Sequence, residues 1–497
     1  MLKLVDGIVL QGLGGFEMEK VLEKKYGLLT AICVVVGTVI GSGVFFKAQN
    51  ILQKTEGNMS LGIAAWMIGG LIMISCITAF AIMATKYEKN NGLVDYAEAT
   101  VGSKYGYFIG WFMATIYSPT LVSVLAWLTA RYTLVFVTNA FPSITLMVPV
   151  EEGGCVVGPE CMVLSLLFLC FAYAINTLAP KVAGHFQIAT TFIKMIPLVL
   201  MMIVGTIVGL FGESGTLIEN MTNVGTSTAG TGSLLFGAVV ATSFAYEGWI
   251  IATSINAELK DAKRNLPIAL LAGGIIIVAI YILYYVGIAG AVSVDQLMNE
   301  GATVAYLSLF GTKLGNLLNL FVATSCCGTL NGLMLACTRG LYAVASRNQG
   351  PKPEVFGQLD SQTNMPNNAA IVGLLLCSLW LVFFYGANLA PMNWFGYFGF
   401  DSSELPIVTI YGMYIPIFIM FMKKATDVSI VKRYVIPSLA VVGSVFMVFA
   451  AVYAHGITPY MVAKDVGEFS CPVLFYLILF GVIEGTGGYF LKKSGES

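Results

Sequence analysis

Twelve long apolar segments follow one another along this chain, with only short polar loops between them. A helix needs about 20 apolar residues to cross the hydrocarbon core of a bilayer. Hydrocarbon offers no hydrogen-bond partners, so each segment must form a helix that satisfies its own backbone. We therefore predict an all-α membrane protein whose spans lie at 28–47, 61–85, 105–137, 162–179, 186–210, 232–256, 267–292, 314–345, 369–387, 394–421, 434–454 and 470–491.

The composition excludes several classes of function. Charged residues make up 11% of the chain, whereas about a quarter of a soluble domain is charged. The two histidines, His185 and His455, fall at opposite faces of the predicted membrane, and the sequence offers neither a metal-ligand cluster nor a nucleophile paired with a base. We therefore expect no enzyme, metal or cofactor, and the lack of a basic, aromatic-rich patch predicts no nucleic-acid partner.

The lysines and arginines indicate the orientation of the chain. Basic residues near span ends favour the cytoplasm, and most of the 26 basic residues fall inside when both termini are placed there. We therefore predict a multi-pass plasma membrane protein, surrounded by lipid, with cytoplasmic segments at 1–27 and 492–497 and one membrane domain at 28–491. Lys194 lies within a span, and five basic residues fall outside: Lys47, Lys54, Arg131, Lys313 and Lys464.

Two spans are interrupted at corresponding places. Span 1 contains Gly41-Ser42-Gly43, and span 6 contains Phe244-Ala-Tyr-Glu-Gly-Trp249. Irregular backbone at membrane depth survives only where it lines a cavity, and paired interruptions in two halves of a chain are typical of inverted-repeat transporters. We predict a LeuT-type fold with 12 transmembrane helices and a 5+5 inverted repeat, in which helices 1 and 6 are broken. The repeats lie at about 28–210 and 232–421, and helices 11 and 12 lie at about 434–491.

The two interruptions offer opposite backbone poles to a ligand. A half-helix that begins after Gly43 exposes unpaired amides, and helix N-termini attract anions. The half-helix that ends near Val39 exposes carbonyl oxygens, as does span 6, and carbonyl oxygens suit an ammonium group. Together these poles predict a site for a zwitterion such as an α-amino acid. The predicted binding residues are Val39, Gly41, Ser42, Gly43, Phe244, Ala245 and Glu247.

Charges near or within the spans are candidates for coupling or gating. An unpaired ammonium deep in a span costs about 2.5–3.5 kcal/mol, so Lys194 is predicted to pack against the broken span 1 rather than extend to the membrane surface. Glu247 could meet substrate, a proton or Lys194, or accept bonds from the following half-helix. Glu258, after span 6, could pair with a basic residue as an inner gate.

Two further pairs of residues have open interpretations. Asp401 and Glu404 are spaced i, i+3 in span 10 and are expected to share one helical face. They form either a structural polar pair before Pro406 or a coupling element. Cys155 and Cys161 lie in the outer loop between spans 3 and 4, where either a disulfide or two free thiols are consistent with the spacing.

An ordered set of motifs resembles a known family. Gly41-Ser-Gly-Val-Phe-Phe46, Ile193-Lys-Met-Ile-Pro197, Phe244-Ala-Tyr-Glu-Gly-Trp249 and Gly328-Thr-Leu-Asn-Gly332 occur in that order. With them the chain resembles the amino acid/polyamine/organocation superfamily of transporters over nearly its whole length. Within that superfamily it looks most like the L-type branch of bacterial amino acid exchangers.

The resemblance implies roles for several residues. Ser42 and Gly43 would hold the substrate carboxylate through backbone amides, and the carbonyls of Val39, Phe244 and Glu247 would accept the amino group. Phe244 would also close over the bound substrate as an aromatic lid. Lys194 would occupy the place that a sodium ion takes in sodium-dependent transporters and would couple span 5 to span 1.

The activity that the resemblance implies is sodium-independent exchange of small or neutral L-amino acids by alternating access. Relatives often have glycine or aspartate where this chain has Glu247, so proton-coupled symport and exchange of cationic amino acids stay open. Eukaryotic relatives bond an accessory glycoprotein through a cysteine of the loop that holds Cys155 and Cys161, but nothing else in the sequence indicates a partner subunit. An intramembrane enzyme and a channel are the alternatives from other classes, and we disfavour both.

Overall fold

A computed structural model describes residues 27–87, 92–213, 215–222, 230–252 and 259–495 of the chain. Ten helices in these ranges are long and apolar enough to cross a membrane. One further pair of helices passes the same test together across a bend, and one shorter helix is also apolar. The chain is therefore an all-helical, multi-pass membrane protein.

The helices are numbered in chain order. They are α1 (Leu28–Val39), α2 (Gly43–Lys54), α3 (Met59–Lys86), α4 (Leu93–Thr100), α5 (Ser103–Ala140), α6 (Pro159–Leu178), α7 (Pro180–Phe211), α8 (Leu217–Thr222), α9 (Thr231–Ala245), α10 (Trp249–Ala252), α11 (Ala262–Ala289), α12 (Val294–Glu300), α13 (Ala302–Ala345), α14 (Pro353–Phe356), α15 (Asn367–Asn388), α16 (Leu405–Lys424), α17 (Val431–Asp465) and α18 (Pro472–Gly495).

Both predicted helix breaks are present. Helices α1 and α2 meet at an angle of 51°, because Ile40 leaves the helix with an extended backbone, at φ −66° and ψ 107°. Helix α9 ends at Ala245, and a turn leads to α10 at Trp249. Gly248 closes that turn with a φ of +103°, a conformation that glycine adopts without steric cost.

The broken helices pack against the middle of the molecule. Helix α1 packs on α11, α2 packs on α9, and α5 packs along α13. Small residues permit these close approaches, as is usual between membrane helices. A Cβ on Gly273 of α11 would lie 2.6 Å from a methyl carbon of Val35, and a Cβ on Gly205 of α7 would overlap the backbone of Gly287 in α11. The packing thus holds both breaks within the helix bundle.

The expectation that Asp401 and Glu404 share a helical face is wrong. Helix α16 begins at Leu405, so both residues precede it in a turn. The Asp401 carboxylate accepts hydrogen bonds from the backbone amide and the hydroxyl of Ser403, at 2.7 and 2.6 Å. Such local side-chain bonds compete with helix formation, and they explain why the helix starts later than the apolar pattern predicts.

The disulfide considered between Cys155 and Cys161 is not formed, and both residues are free, buried thiols. Cys161 lies in the first turn of α6 and is fully buried. The sulfur of Cys155 lies 3.7 Å from the hydroxyl of Thr138 at the end of α5. Each thiol therefore packs among its own neighbours, and the two are not bonded to each other.

Candidate functional site

The two helix breaks touch each other. A Cβ on Gly43 would lie 2.6 Å from the Cα of Ala245, and a Cβ on Gly248 would lie 2.9 Å from the carbonyl oxygen of Thr38. Each glycine therefore lets one interrupted backbone approach the other more closely than a side chain would allow. The contact brings the end of α1, the start of α2 and the α9–α10 turn to one point.

A hydroxyl from a third helix joins the two breaks. The Tyr281 hydroxyl, on α11, lies 3.1 Å from the carbonyl oxygen of Val39 and 2.9 Å from that of Ala245. A carbonyl oxygen can accept two hydrogen bonds, so each of these oxygens keeps a lone pair for a ligand. Sequence reasoning missed Tyr281, because a tyrosine in an apolar span is usually a packing residue.

One central cavity lies where the breaks meet, and all seven predicted binding residues line it. The rest of the lining is mainly apolar and includes four hydroxyl-bearing residues, Thr38, Tyr117, Ser118 and Thr329. The predicted residues in the lining are Val39, Gly41, Ser42, Gly43, Phe244, Ala245 and Glu247.

The start of α2 leaves polar groups free toward this cavity. Phe46 donates the first backbone hydrogen bond of the helix, to the carbonyl of Ser42 at 3.1 Å, so the amides of residues 43–45 precede that bond and can bind an anion. The Ser42 hydroxyl is buried, and among the described residues only the Cys326 thiol, a weak hydrogen-bonding group, interacts with it. An anionic group of a ligand can satisfy these donors.

Glu247 lies in the α9–α10 turn and lines the cavity, with 9% of its surface exposed. The Tyr117 hydroxyl and the Gly248 backbone amide are close to its carboxylate, but neither makes a well-formed hydrogen bond with it, and no cation among the described residues pairs with it. The hydroxyls of Tyr117, Tyr411 and Tyr414 lie near enough to interact with it electrostatically. A buried carboxylate with which no described cation pairs is typical of a group that binds a cation or a proton.

Lys194 contacts the broken first span. Its ammonium donates a 2.6 Å hydrogen bond to the carbonyl of Gly37 in α1, and only 4% of the side chain is exposed. The bond connects α7 to the half-helix that ends at the cavity. This contact does not involve Glu247, which was one partner considered for the lysine. Glu258, the other predicted gating residue, lies outside the described residues.

A buried ionic cluster lies at one end of the α2 half-helix. Glu404, fully buried, accepts hydrogen bonds from Lys47 at 2.6 Å, Lys54 at 2.8 Å and His455 at 3.0 Å. Lys47 also lies 3.3 Å from the Ser403 hydroxyl. We call these five residues the Glu404 cluster. It ties α2 to α16 and α17.

Sequence reasoning counted Lys47 and Lys54 only as outer basic residues and His455 only as an unpaired histidine. The signal that could have found the cluster is charge matching. Lys47 follows an apolar run in one span, and Glu404 lies within another. Burying either charge alone in a span would cost free energy, so an ion pair between Lys47 and Glu404 is favoured.

An aromatic partition closes the cavity on the side of the Glu404 cluster. The rings of Phe46 and Phe244 lie 6.2 Å apart, and those of Phe46 and Trp127 lie 5.5 Å apart. The Lys47 ammonium lies 5.1 Å from the Phe46 ring and 5.5 Å from the Phe244 ring. Favourable cation–π geometry thus links the partition to the ionic cluster.

A second pocket, which we call the Arg347 pocket, adjoins the cavity. The residues that line both are Met113, Ser118, Ile250 and Ala336. This second pocket extends past Arg339 to Arg347, which forms an ion pair with Asp95 at 3.1 Å. The central cavity is therefore bordered by aromatic rings at one end and by a second, adjoining pocket elsewhere.

Nothing in the described ranges forms a group of three or more His, Cys, Asp or Glu side chains that could hold a metal ion. The polar groups of the cavity are instead backbone poles, hydroxyls and one carboxylate. This set of groups fits an organic zwitterion better than a metal.

Comparison with known proteins identifies the family. The family model for amino acid permeases matches residues 26–483. The serine/threonine exchanger SteT of Bacillus subtilis (strain 168) is 30% identical over 69% of this chain and 73% of its own length. The human cystine/glutamate transporter is 25% identical over 71% of this chain and 67% of its own. The mouse b(0,+)-type amino acid transporter 1 is 24% identical over 95% of this chain and 88% of its own length.

The family and these relatives are transporters, not enzymes. The relatives carry amino acids across membranes, some of them in exchange for one another. The chain therefore belongs to the amino acid permease family and is a multi-pass membrane transporter of amino acids.

Proposed function

We propose that this protein exchanges small or neutral L-amino acids by alternating access, without sodium. The observation that carries the proposal is the meeting of two helix breaks in one cavity. The amides of residues 43–45 would bind the substrate carboxylate, and the carbonyls of Val39 and Ala245 would accept its ammonium group. Phe244 would cover the bound amino acid.

The proposal includes a membrane arrangement. We assign twelve spans, with α1–α2 as the first and α9–α10 as the sixth, in a LeuT-type inverted repeat that leaves α17 and α18 outside. We place both termini in the cytoplasm of a plasma-membrane protein. The aromatic partition then closes the outer side of the cavity, and the Arg347 pocket opens it toward the inside.

Sodium independence rests on Lys194. Its ammonium lies 2.6 Å from the Gly37 carbonyl, where it would supply the positive charge that a sodium ion supplies in sodium-coupled transport. The name of the 30% identical relative, a serine/threonine exchanger, supports small neutral amino acids as the first substrates to test.

Proteoliposomes loaded with one amino acid test the proposal. We expect uptake of labelled serine, threonine or alanine to be stimulated by amino acid inside, with no gradient of sodium or protons. Empty proteoliposomes and liposomes without protein are the controls. Uptake that needs a sodium gradient, or that is the same with and without internal amino acid, would contradict exchange.

Proton-coupled symport is the second candidate, and the unpaired Glu247 carboxylate favours it. The same assay separates the two. Symport predicts uptake into empty proteoliposomes when the outside is acidic, and Glu247→Gln would abolish the effect of the pH gradient. Stimulation by internal lysine or arginine that Glu247→Gln removes would instead assign the carboxylate to cationic substrates.

The contact between the breaks has its own test. A Cβ on Gly43 would lie 2.6 Å from the Cα of Ala245, and relieving such an overlap costs about 1–3 kcal/mol. We expect Gly43→Ala to lower exchange about tenfold or more. Gly481→Ala is the matched control, because a Cβ on Gly481 meets no atom within 4 Å. Equal activity of the two variants would contradict a role for the close approach.

A further inference from the structure

A polar pocket lies on the far side of the aromatic partition from the central cavity. Phe46 and Trp127 of the partition line it, together with Arg131 of α5 and Asp401 before α16. Under the orientation proposed above, this pocket faces the outside. A solute entering from that side would meet it directly before the partition.

Arg131 brings an uncompensated positive charge to this pocket. Its guanidinium donates a hydrogen bond to the side-chain oxygen of Gln49 at 3.1 Å and lies 5.7 Å from the Trp127 ring and 5.5 Å from the Tyr132 ring. No carboxylate of the described residues pairs with it. The two rings lie beside the guanidinium, and Gln49 is its only hydrogen-bond acceptor among the described residues. Most of its five N–H donors can therefore bind a ligand.

Asp401 brings the complementary negative charge. One of its carboxylate oxygens accepts both hydrogen bonds from Ser403, and no cation in the described part of the chain pairs with the carboxylate. Asn50 lines the same pocket, and its side-chain oxygen is buried without a partner. Among the described residues, the Asp401 carboxylate therefore has no cationic partner, the Asn50 oxygen has no hydrogen-bond donor, and Arg131 has no anionic partner.

The neighbouring Glu404 cluster makes this arrangement informative. Lys47, Lys54 and His455 all pair with one carboxylate, although Asp401 is only three residues away in sequence. Charges that serve only the fold are normally paired when they are partly buried. A fixed cation and a fixed anion left unpaired around one pocket match the two ends of a zwitterion.

We propose that this pocket is a second binding site for zwitterionic α-amino acids, distinct from the central cavity. The substrate carboxylate binds Arg131, and its ammonium binds Asp401 and the Asn50 oxygen. The occupant rests against Phe46 and Trp127 and enters the central cavity when the partition opens. This inference depends on the proposed exchange function. The pocket would be an outer binding site that the same substrates occupy before they reach the central cavity.

The site predicts an asymmetry that the central cavity cannot produce. An amino acid that arrives from the outside passes Arg131, whereas one that arrives from the inside reaches the central cavity through the Arg347 pocket. Losing Arg131 therefore weakens the apparent affinity for external substrate only. A defect of folding or of the central cavity would change both sides.

The experiment measures KM for serine on each face separately. Whole cells report the outer KM, and inside-out membrane vesicles report the inner KM. We expect Arg131→Gln to raise the outer KM about tenfold, because a charge-assisted hydrogen bond typically contributes that much to affinity. The inner KM and the maximal rate should stay within about twofold of the wild-type values. Lys313→Gln is the matched control, because it removes an exposed basic residue assigned to the same face. Its outer KM should not change.

Two further variants complete the test. Arg131→Lys keeps the charge and should recover part of the outer affinity. Asp401→Asn should raise the outer KM alone, and the double variant should be little worse than either single one, because each already breaks the two-point contact. Wild-type exchange with an unchanged outer KM in Arg131→Gln, or equal changes on both faces, would overturn the second site. Wild-type protein that exchanges no amino acid would overturn the proposed function instead.

Discussion

Two buried carboxylates of this transporter have opposite surroundings. Glu404 has no exposed surface and three basic partners, Lys47, Lys54 and His455. Glu247 is 9% exposed, and no cation among the described residues pairs with its carboxylate, whose polar neighbours are the Tyr117 hydroxyl and the Gly248 amide. The first lies where α2 meets α16, and the second lies in the turn between α9 and α10, beside the central cavity.

The difference separates charges that hold the fold from charges that await a ligand. Burial of an ion costs several kcal/mol, and close opposite charges offset that cost. Glu404 receives this compensation from the protein, so its charge contributes to holding three helices together. Glu247 has only polar neighbours, the Tyr117 hydroxyl and the Gly248 amide, and no cation among the described residues pairs with it. Buried charges without a charged partner are concentrated at functional sites. We therefore propose that Glu404 serves the structure and that Glu247 serves transport.

The largest expected effect comes from Glu404→Gln. Removal of one member of a buried ion pair costs about 3–5 kcal/mol, because the other member stays buried without compensation. Lys47 is the side chain left in that position, with 1% of its surface exposed. We expect the variant to give little folded protein and a sharply lower midpoint of thermal unfolding in detergent. A midpoint equal to that of the wild type would break the comparison between the two carboxylates.

The control for this prediction replaces both members of the pair. Lys47→Met combined with Glu404→Gln leaves no unpaired charge at the centre of the cluster, and such paired replacements are often close to neutral. Lys54 is 24% exposed and His455 is 12% exposed, so both can regain contact with water. We expect the double variant to recover most of the thermal stability that Glu404→Gln loses.

Lys194 lies between the two cases, and its loss should affect transport more than stability. It has one partner, the carbonyl of Gly37, rather than a carboxylate. Lys194→Ala removes the charged bond between α7 and α1, and such bonds contribute about 1.5–3 kcal/mol. We expect an amount of folded protein close to the wild type, with exchange reduced about tenfold or more per molecule. Unchanged turnover would exclude Lys194 from the coupling mechanism.

The sequence was sufficient to predict both helix breaks. Glycine-rich interruptions in an apolar span have one physical explanation at membrane depth, which is that they line a cavity. It predicted interruptions at residues 41–43 and 244–249. All three residues of the first segment line the observed cavity, as do Phe244, Ala245, Glu247 and Gly248 of the second. Lys194 was likewise predicted to pack against span 1, because an ammonium that deep in a span needs a partner.

The partners of Glu404 could not be predicted from the sequence. Lys47 and Lys54 come from α2 and His455 comes from α17, and their convergence on Glu404 depends on how α2, α16 and α17 pack. The i, i+3 spacing of Asp401 and Glu404 gave a wrong answer, because Ser403 bonds to Asp401 and delays the start of α16. Tyr281 was missed for a similar reason, since only the tertiary fold brings its hydroxyl to both breaks.

The smallest expected effect sharpens the comparison most. Glu247→Gln replaces a buried carboxylate that has no cationic partner among the described residues with a neutral group of the same shape. The substitution removes a desolvation cost larger than its weak contacts with Tyr117 and Gly248. We expect the free energy of unfolding to rise by about 1 kcal/mol or to stay the same. The midpoint of thermal unfolding in detergent, measured as for Glu404→Gln, should therefore rise slightly or not change. If the charge also carries a proton during transport, the variant's exchange rate no longer changes with external pH. A loss of stability as large as that of Glu404→Gln would reveal a hidden partner for Glu247, and the two carboxylates would then belong to one class.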